Sequence, residues 1–438
     1  MAGNKISVGV GASVGLAAII GAGIFVLSGT AIALAGAYSL VAFALVGILA
    51  LIIALELGEL GSLMPHVKGA SYSYTYEAMG SELGFITGIL RYISLATAIG
   101  AIALGFGSYF ASFFGISSGY AIPIAIGIIA ILSGVNILGV KKAAEADLYL
   151  VIIKIGILIM FIGFALYLAF SHLHAFANIS FAVPSGGLLG GIFAASIAVF
   201  FAYSGFQAIS SLTDRINNGS KGYVRAILLA VGISIIVYTL VVFAMLLLMP
   251  TGAYKISADP LSNALKYAGA PVWLLGVVDI GAMVATASAT IAMILTSSRA
   301  LYQMSVDGLL PRYFRAYDRR KDAAVNGILV SALIGIVVLF AGNIYVIASI
   351  ANFGLMFNYM IVGFDVIHFR RLGKRSPFLM PLYPYLPILS ISMLLVFFAG
   401  MPKEALVFGI AMILLLIVAY YALIEDKNRK IVRIRIFR

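Results

Sequence analysis

Three features of this sequence could do chemistry: two glycine-centred interruptions in long apolar runs, and one lysine set deep in a third. Gly21-Ala22-Gly23 breaks the first run, and Tyr203-Ser204-Gly205-Phe206 breaks another near the middle of the chain. Glycine costs roughly 1 kcal/mol relative to alanine within a helix, so two close together favour local unwinding. In apolar surroundings, freed backbone N–H and C=O groups are tolerated only where they line a cavity or bind something. A helix amino terminus offers partial positive charge to a carboxylate, and unwound carbonyls accept from an ammonium. Such a pair of breaks suits a zwitterion.

The elements that must position these groups follow from composition. Of 438 residues, 63% are hydrophobic and 10% charged, against roughly 25% charged in an ordinary soluble protein. Buried in one globule, that composition would still leave very large exposed apolar patches. The chain reads as an all-α polytopic membrane protein. Apolar stretches of about 20 residues, the length that crosses roughly 30 Å of hydrocarbon, fall near 7–36, 39–63, 83–113, 121–138, 148–170, 188–213, 224–249, 272–300, 324–341, 343–366, 380–400 and 404–424, twelve spans in all. The formal charge of +12 is a topology signal before it is anything else. Lys141–Lys142, Arg215 to Arg225, Arg312 to Lys321, Arg370 to Arg375 and the tail from Lys427 to Arg438 fall on one side, and only Lys255, Lys266 and Lys403 on the other. The positive-inside rule then places both termini in the cytoplasm of a multi-pass cell-membrane protein. The first apolar run is far too long for a signal-peptide core, so no cleaved leader is expected.

The first run is half again longer than one crossing requires, so a tilted or two-piece helix fits it better than a continuous rod. Five crossings separate the first span from the sixth, so an equivalent unit would enter the membrane in the opposite sense. The sequence therefore predicts an inverted repeat of 7–170 and 188–366, followed by two added helices over 380–424 and a basic tail over 425–438. Paired glycine-interrupted segments in corresponding places point to a midplane binding site.

At these residues the chain resembles the amino acid–polyamine–organocation (APC) superfamily of transporters. Ile20-Gly21-Ala22-Gly23-Ile24-Phe25-Val26-Leu27-Ser28-Gly29 is similar to its first-helix signature, and Phe200-Phe201-Ala202-Tyr203-Ser204-Gly205-Phe206 to its sixth. Glu56-Leu57-Gly58 followed by Pro65, Gly69 and Tyr72 agrees, as does the run Ser298-Arg299, Tyr302, Met304, Asp307-Gly308, Leu310-Pro311. The resemblance covers nearly the whole chain and implies the leucine-transporter-like fold, a 5+5 inverted repeat plus two helices. It implies that backbone groups at Ile20, Gly21, Ala22, Gly23 and Ile24 hold a substrate carboxylate, with carbonyls around Phe200, Ala202 and Tyr203, beside Ser204 and Gly205, holding its ammonium. Gln207 stands where the family often has an acid, which argues against a cationic substrate.

Lys154 lies about seven residues into the fifth span, roughly 10 Å deep at 1.5 Å per residue. An intramembrane lysine is expensive and by default functional. The position resembles the fifth-helix lysine of proton-coupled, sodium-independent members, which implies the carbonyls of Ala17 and Ile20 and the hydroxyl of Ser288 as its neighbours. An ammonium there could bridge spans one, five and eight as a cation would, and burial penalises the charged form, so the amine can release its proton. Each net charge carried inward gains about 2.3 kcal/mol per 100 mV. The alternative is a lysine stem that snorkels to the interface. Arg91 reads as snorkelling or paired with an acid, Glu56 as a gate or packing contact in preference to a proton site, Asp279 as a group that steers an ammonium or pairs with another helix, and Asp365 as a solvated boundary residue.

Other classes are disfavoured. There is no cysteine, so disulfides, thiolate metal sites and cysteine nucleophiles are excluded. The four histidines are scattered, with no HExxH, so no metal is expected. Gly11-Ala12-Ser13-Val14-Gly15 satisfies a hydrolase pattern but lies within an apolar helix, without the strand-to-helix elbow that the motif needs. No Walker motif or dinucleotide fingerprint is present, so no cofactor is expected and an enzyme is disfavoured. Expected partners are a small-molecule amino acid, a proton and the lipid bilayer, with no nucleic acid; the sequence sets no oligomeric state. The reading is a secondary active amino acid transporter, by proton symport. A sodium-coupled symporter or exchanger is the alternative mechanism, and a non-transporting sensor or scaffold the alternative class.

Overall fold

The computed structural model describes residues 6–64, 71–139, 143–171, 173–184, 186–205, 216–318, 321 and 323–423. The apolar runs form helices because a chain in hydrocarbon must satisfy its backbone hydrogen bonds within each segment. The first run is two helices, α1 (Val8–Ile19) and α2 (Ala22–Ala35), each shorter than the roughly 30 Å of a hydrocarbon core. Ser7 starts α1 by accepting the Val10 N–H at 3.2 Å, a side-chain cap for one of the otherwise unpaired first-turn donors. Next come α3 (Ser39–Leu63), a short α4 (Ser71–Met79), α5 (Ser81–Phe114), α6 (Ala121–Leu138) and α7 (Ala143–Ser171). Gly115 ends α5 at φ +64°, and the Ile116 N–H closes back on the Ala111 carbonyl at 3.0 Å; a side chain would disfavour this left-handed stop.

The second half contains α8 (Leu188–Tyr203), α9 (Gly219–Leu248), a short α10 (Pro260–Tyr267), α11 (Val272–Val306), α12 (Val325–Val338), α13 (Ile344–Arg371), α14 (Tyr385–Ala399) and α15 (Lys403–Leu423). Among the described residues there is no strand, only the isolated bridges Ile6 to Ile216 and Asp318 to Ala323. Eight helical runs there are long and apolar enough to cross a membrane, one of them, Ala22–Leu63, holding both α2 and α3. The shorter apolar helices are α1, α8, α12 and α14. The sixth expected span, 188–213, is helical to Tyr203 and has a further turn through Gly205; its remainder, with Phe206 and Gln207, lies outside the described residues, as does the basic tail.

Packing sorts the helices into inner and outer sets. The most apolar window of α13 is 83% buried and that of α15 only 22%, so the first is enclosed by protein and the second presents its side chains to lipid. The inner set is tied through α5, which packs on α11 and α13, while α2 packs on α8 and α9 supports both α1 and α3. Asp365 corrects the sequence reading. It is fully buried on α13, because α3 and α4 close over that end of the helix.

Candidate functional site

The break in the first span is two residues long. The Ile20 N–H makes the last α-helical bond to Leu16 O at 2.7 Å, and the Gly21 N–H turns back to Ile19 O at 2.7 Å. Helix α2 then restarts at Ala22 with no side-chain cap, which leaves its first-turn N–H groups without helical partners. The carboxyl end of α8 lies beside it. A Cβ on Gly23 would fall 2.4 Å from Ala202 Cα, and one on Gly205 would fall 2.0 Å from Ala18 O. These two glycines are absences of side chain that let the first span and the end of α8 touch backbone to backbone. Gly21 differs, since a Cβ there meets nothing closer than 3.7 Å.

The meeting brings opposite helix ends together. The amino end of α2 carries partial positive charge, and the carboxyl ends of α1 and α8 carry partial negative charge, so one small volume can orient both ends of a zwitterion. Ile20, Ala22, Ile24, Phe200, Ala202 and Tyr203 are buried there, and Ser204 and Gly205 half-buried. The carbonyls are already partly used: Ser204 Oγ donates to Phe201 O at 2.8 Å, and the Tyr359 hydroxyl donates to Ser204 O at 3.4 Å.

Tyr238 on α9 escaped the sequence reading. Its buried hydroxyl lies 2.6 Å from Ile19 O and 3.1 Å from Ala202 O, so one O–H is shared between a carbonyl at the first break and one at the end of α8. Its ring packs edge-on to Phe43 and Tyr203. A tyrosine in a long apolar run carries no signal of that position; only the packing of α9 under α1 reveals it.

Lys154 on α7 is 2% exposed, so its side chain is enclosed and does not run out along the surface. Helix α7 packs on α1 and α11, the helices that carry Ala17 and Ser288. Both of those residues are half-buried, and Ser288 donates to Ala285 O at 3.1 Å, leaving its oxygen lone pairs able to accept. Arg91 on α5 has Tyr359, Tyr72 and Tyr74 as electrostatic neighbours.

At the end of the bundle that carries Lys255 and Lys266, Asp279 on α11 is fully buried. It accepts from Ser112 Oγ on α5 at 2.9 Å, while Ser112 lies 2.6 Å from Ser262 Oγ and accepts from Lys266 Nζ at 2.7 Å. Asp279 thus ties α5, α10 and α11 together. Nearby, burial pushes the Asp259 carboxyl above its ordinary range against the opposing pull of Lys266. Helix α10 also seats Pro260 against Gly29 of α2, where a Cβ would fall 2.3 Å from the proline ring. At the opposite end, Glu59 on α3 holds Arg370 of α13 in a two-pronged ion pair at 2.7 and 2.6 Å. It also accepts the Met380 N–H at 2.7 Å. The sequence reading picked Glu56, whose neighbour is Ser390 on α14; Glu59, one turn further, makes the clamp.

The amino acid permease family model matches residues 12–429. The chain belongs to the amino acid permease family. It is a member of the APC superfamily and a multi-pass membrane transporter for amino acids. Among relatives of this permease, the branched-chain amino acid permease BcaP of Bacillus subtilis is 28% identical over 95% of this chain and 92% of its own. The methylthioribose transporter of the same organism is 27% identical over 89% and 86%. In structure the permease is similar to the manganese transporter of Eremococcus coleocola, with a TM-score of 0.58 at 15% identity over 98% of this chain and 95% of that one. The shared fold is the leucine-transporter-like one, the 5+5 inverted repeat with two further helices that the sequence motifs imply.

Proposed function

We propose that the chain imports amino acids across the cell membrane by proton symport, with both termini in the cytoplasm. The observation that carries this reading is the meeting of the α2 amino end with the carboxyl ends of α1 and α8. Ile20, Gly21, Ala22, Gly23 and Ile24 bind the α-carboxylate there, and the carbonyls of Phe200, Ala202 and Tyr203 bind the α-ammonium. A neutral side chain is favoured, since Gln207 replaces the acid frequent in the family and a relative is named for branched-chain substrates. The repeats are assigned to 7–170 and 188–366, with 380–424 added. Alternating access moves the interrupted helices against a scaffold.

Lys154 is assigned the coupling role. Its enclosed position beside α1 and α11 lets an ammonium bind those helices together, and a neutral amine lets them part. The test is uptake of a panel of radiolabelled amino acids into proteoliposomes under an imposed pH gradient, with and without sodium. Acid-driven, sodium-independent uptake that Lys154→Ala abolishes, while substrate binding survives, is the expected result. A sodium requirement, or a variant still fully proton-driven, overturns the assignment.

A further inference from the structure

Two carboxyl groups have no part in the binding site just described. Glu56 on α3 and Asp365 on α13 are both fully buried, and Asp365 is an acidic neighbour of Glu56. Neither has a cation within ion-pair distance among the described residues; the nearby Arg370 is taken by Glu59. Among the described residues, Glu56 Oε2 and Asp365 Oδ1 have no hydrogen-bond partner. Two carboxylates buried in such surroundings without a cation would be very costly.

Hydrogen counting points the same way. Ser390 Oγ lies 2.5 Å from Glu56 Oε1 and 2.9 Å from Pro387 O. A serine hydroxyl has one hydrogen, and both of these neighbours are acceptors if Glu56 is ionised. Thr75 Oγ1 on α4 repeats the arrangement, 2.7 Å from Asp365 Oδ2 and 3.3 Å from Ser71 O. With ionised acids each hydroxyl would share its one hydrogen between a carboxylate and a helix carbonyl. A protonated carboxyl gives each contact a hydrogen of its own: the acid O–H donates to the hydroxyl oxygen, and the hydroxyl donates to the helix carbonyl. The remaining ionisable neighbours do not alter this count. Tyr72 on α4 donates to Asp307 at 2.6 Å, Tyr74 and Arg91 form a group with Tyr359 on the α5 side, and Tyr223 of α9 lies beside Tyr74.

We propose that Glu56 and Asp365, with Ser390 and Thr75, form a proton-binding site separate from Lys154. It joins four helices, α3, α4, α13 and α14, one turn from the Glu59–Arg370 clamp. Loss of both protons puts two negative charges near Glu59, repels α3 from α13 and offers Arg370 competing partners. The site thus makes closure at this end depend on protonation. That role in the transport cycle rests on the proton-coupled reading above; the bound proton itself does not.

The test is infrared difference spectroscopy of the purified full-length protein in liposomes at neutral pH, comparing wild type with Glu56→Gln, Asp365→Asn and the double variant. The expected result is a protonated-carboxyl C=O band in the wild type that weakens in a single variant and is lost from the double-variant difference. An acid-band intensity unchanged by either substitution overturns the proposal. The single variants give the same readout if the double variant fails to fold, because each amide can still donate to its hydroxyl. A proton-driven wild type whose uptake pH profile matches that of the variants removes the site from the cycle. A wild type that is not proton-driven instead refutes the function proposed above and leaves the infrared result standing.

Discussion

Adding one methyl group to Gly23 should damage the site, whereas adding it two residues earlier should not. In Gly23→Ala the new Cβ falls 2.4 Å from Ala202 Cα and 2.7 Å from Ala202 Cβ. Carbon atoms prefer about 3.5–4.0 Å, so α2 and α8 must part by about 1 Å against backbone that has no rotamer to yield. Overpacking of this kind costs about 1–3 kcal/mol, and the better helix propensity of alanine returns up to ~1 kcal/mol. A net loss of about 1–2 kcal/mol is a factor of roughly 5–30. Gly21→Ala meets only ordinary contacts, at 3.7 Å to Ala18 O and 3.8 Å to Ala289 Cβ, and its backbone is at a negative φ of −102°. The assay is thermal unfolding of both purified variants without substrate, then equilibrium binding of the best-transported amino acid. Gly23→Ala should melt lower and bind about 5–30-fold more weakly, with Gly21→Ala melting as the wild type does. Equal melting of the two variants would refute the backbone-contact argument.

Two further outcomes follow from contacts away from the glycines. Tyr238→Phe removes the O–H shared by Ile19 O and Ala202 O; since Ile19 O keeps the Gly21 N–H, the loss should be about 1 kcal/mol, read as a severalfold drop in substrate affinity with the fold retained. Glu59→Gln breaks a pair whose side chains are 5% exposed for Glu59 and 17% for Arg370; breaking a buried pair costs about 3–5 kcal/mol, and this less complete burial sets the expected loss near ~2–3 kcal/mol by thermal unfolding. The Glu59→Gln, Arg370→Gln double variant should lose less than the sum of the singles, and strict additivity would show that the pair contributes nothing.

The clearest determinations made by sequence alone are those that depend on a segment taken by itself. Apolar length gave the positions of the helices, since hydrocarbon leaves a spanning segment no other way to satisfy its backbone. Gly21 marked the interruption between α1 and α2, because a local weakness in helix propensity is written in adjacent residues. The family motifs, read in order along the chain, implied the fold that the manganese transporter shares. Charge placement, by contrast, was misleading at the level of single residues. Asp365 lies near a span end and reads as solvated, yet α3 and α4 bury it.

What only the tertiary structure decided is which distant groups share a neighbourhood. Gly23 and Ala202 stand far apart in sequence and nearly touch in space, and Tyr238, from a third span, bridges Ile19 and Ala202. The Glu59–Arg370 clamp and the Asp279–Ser112–Lys266 chain likewise join residues from different helices. A helix fixes its own hydrogen bonds from within, but which face it turns inward depends on every helix packed around it. That is why the break between α1 and α2 was legible in the sequence, and why the hydroxyls, carboxyls and backbone contacts around it were not.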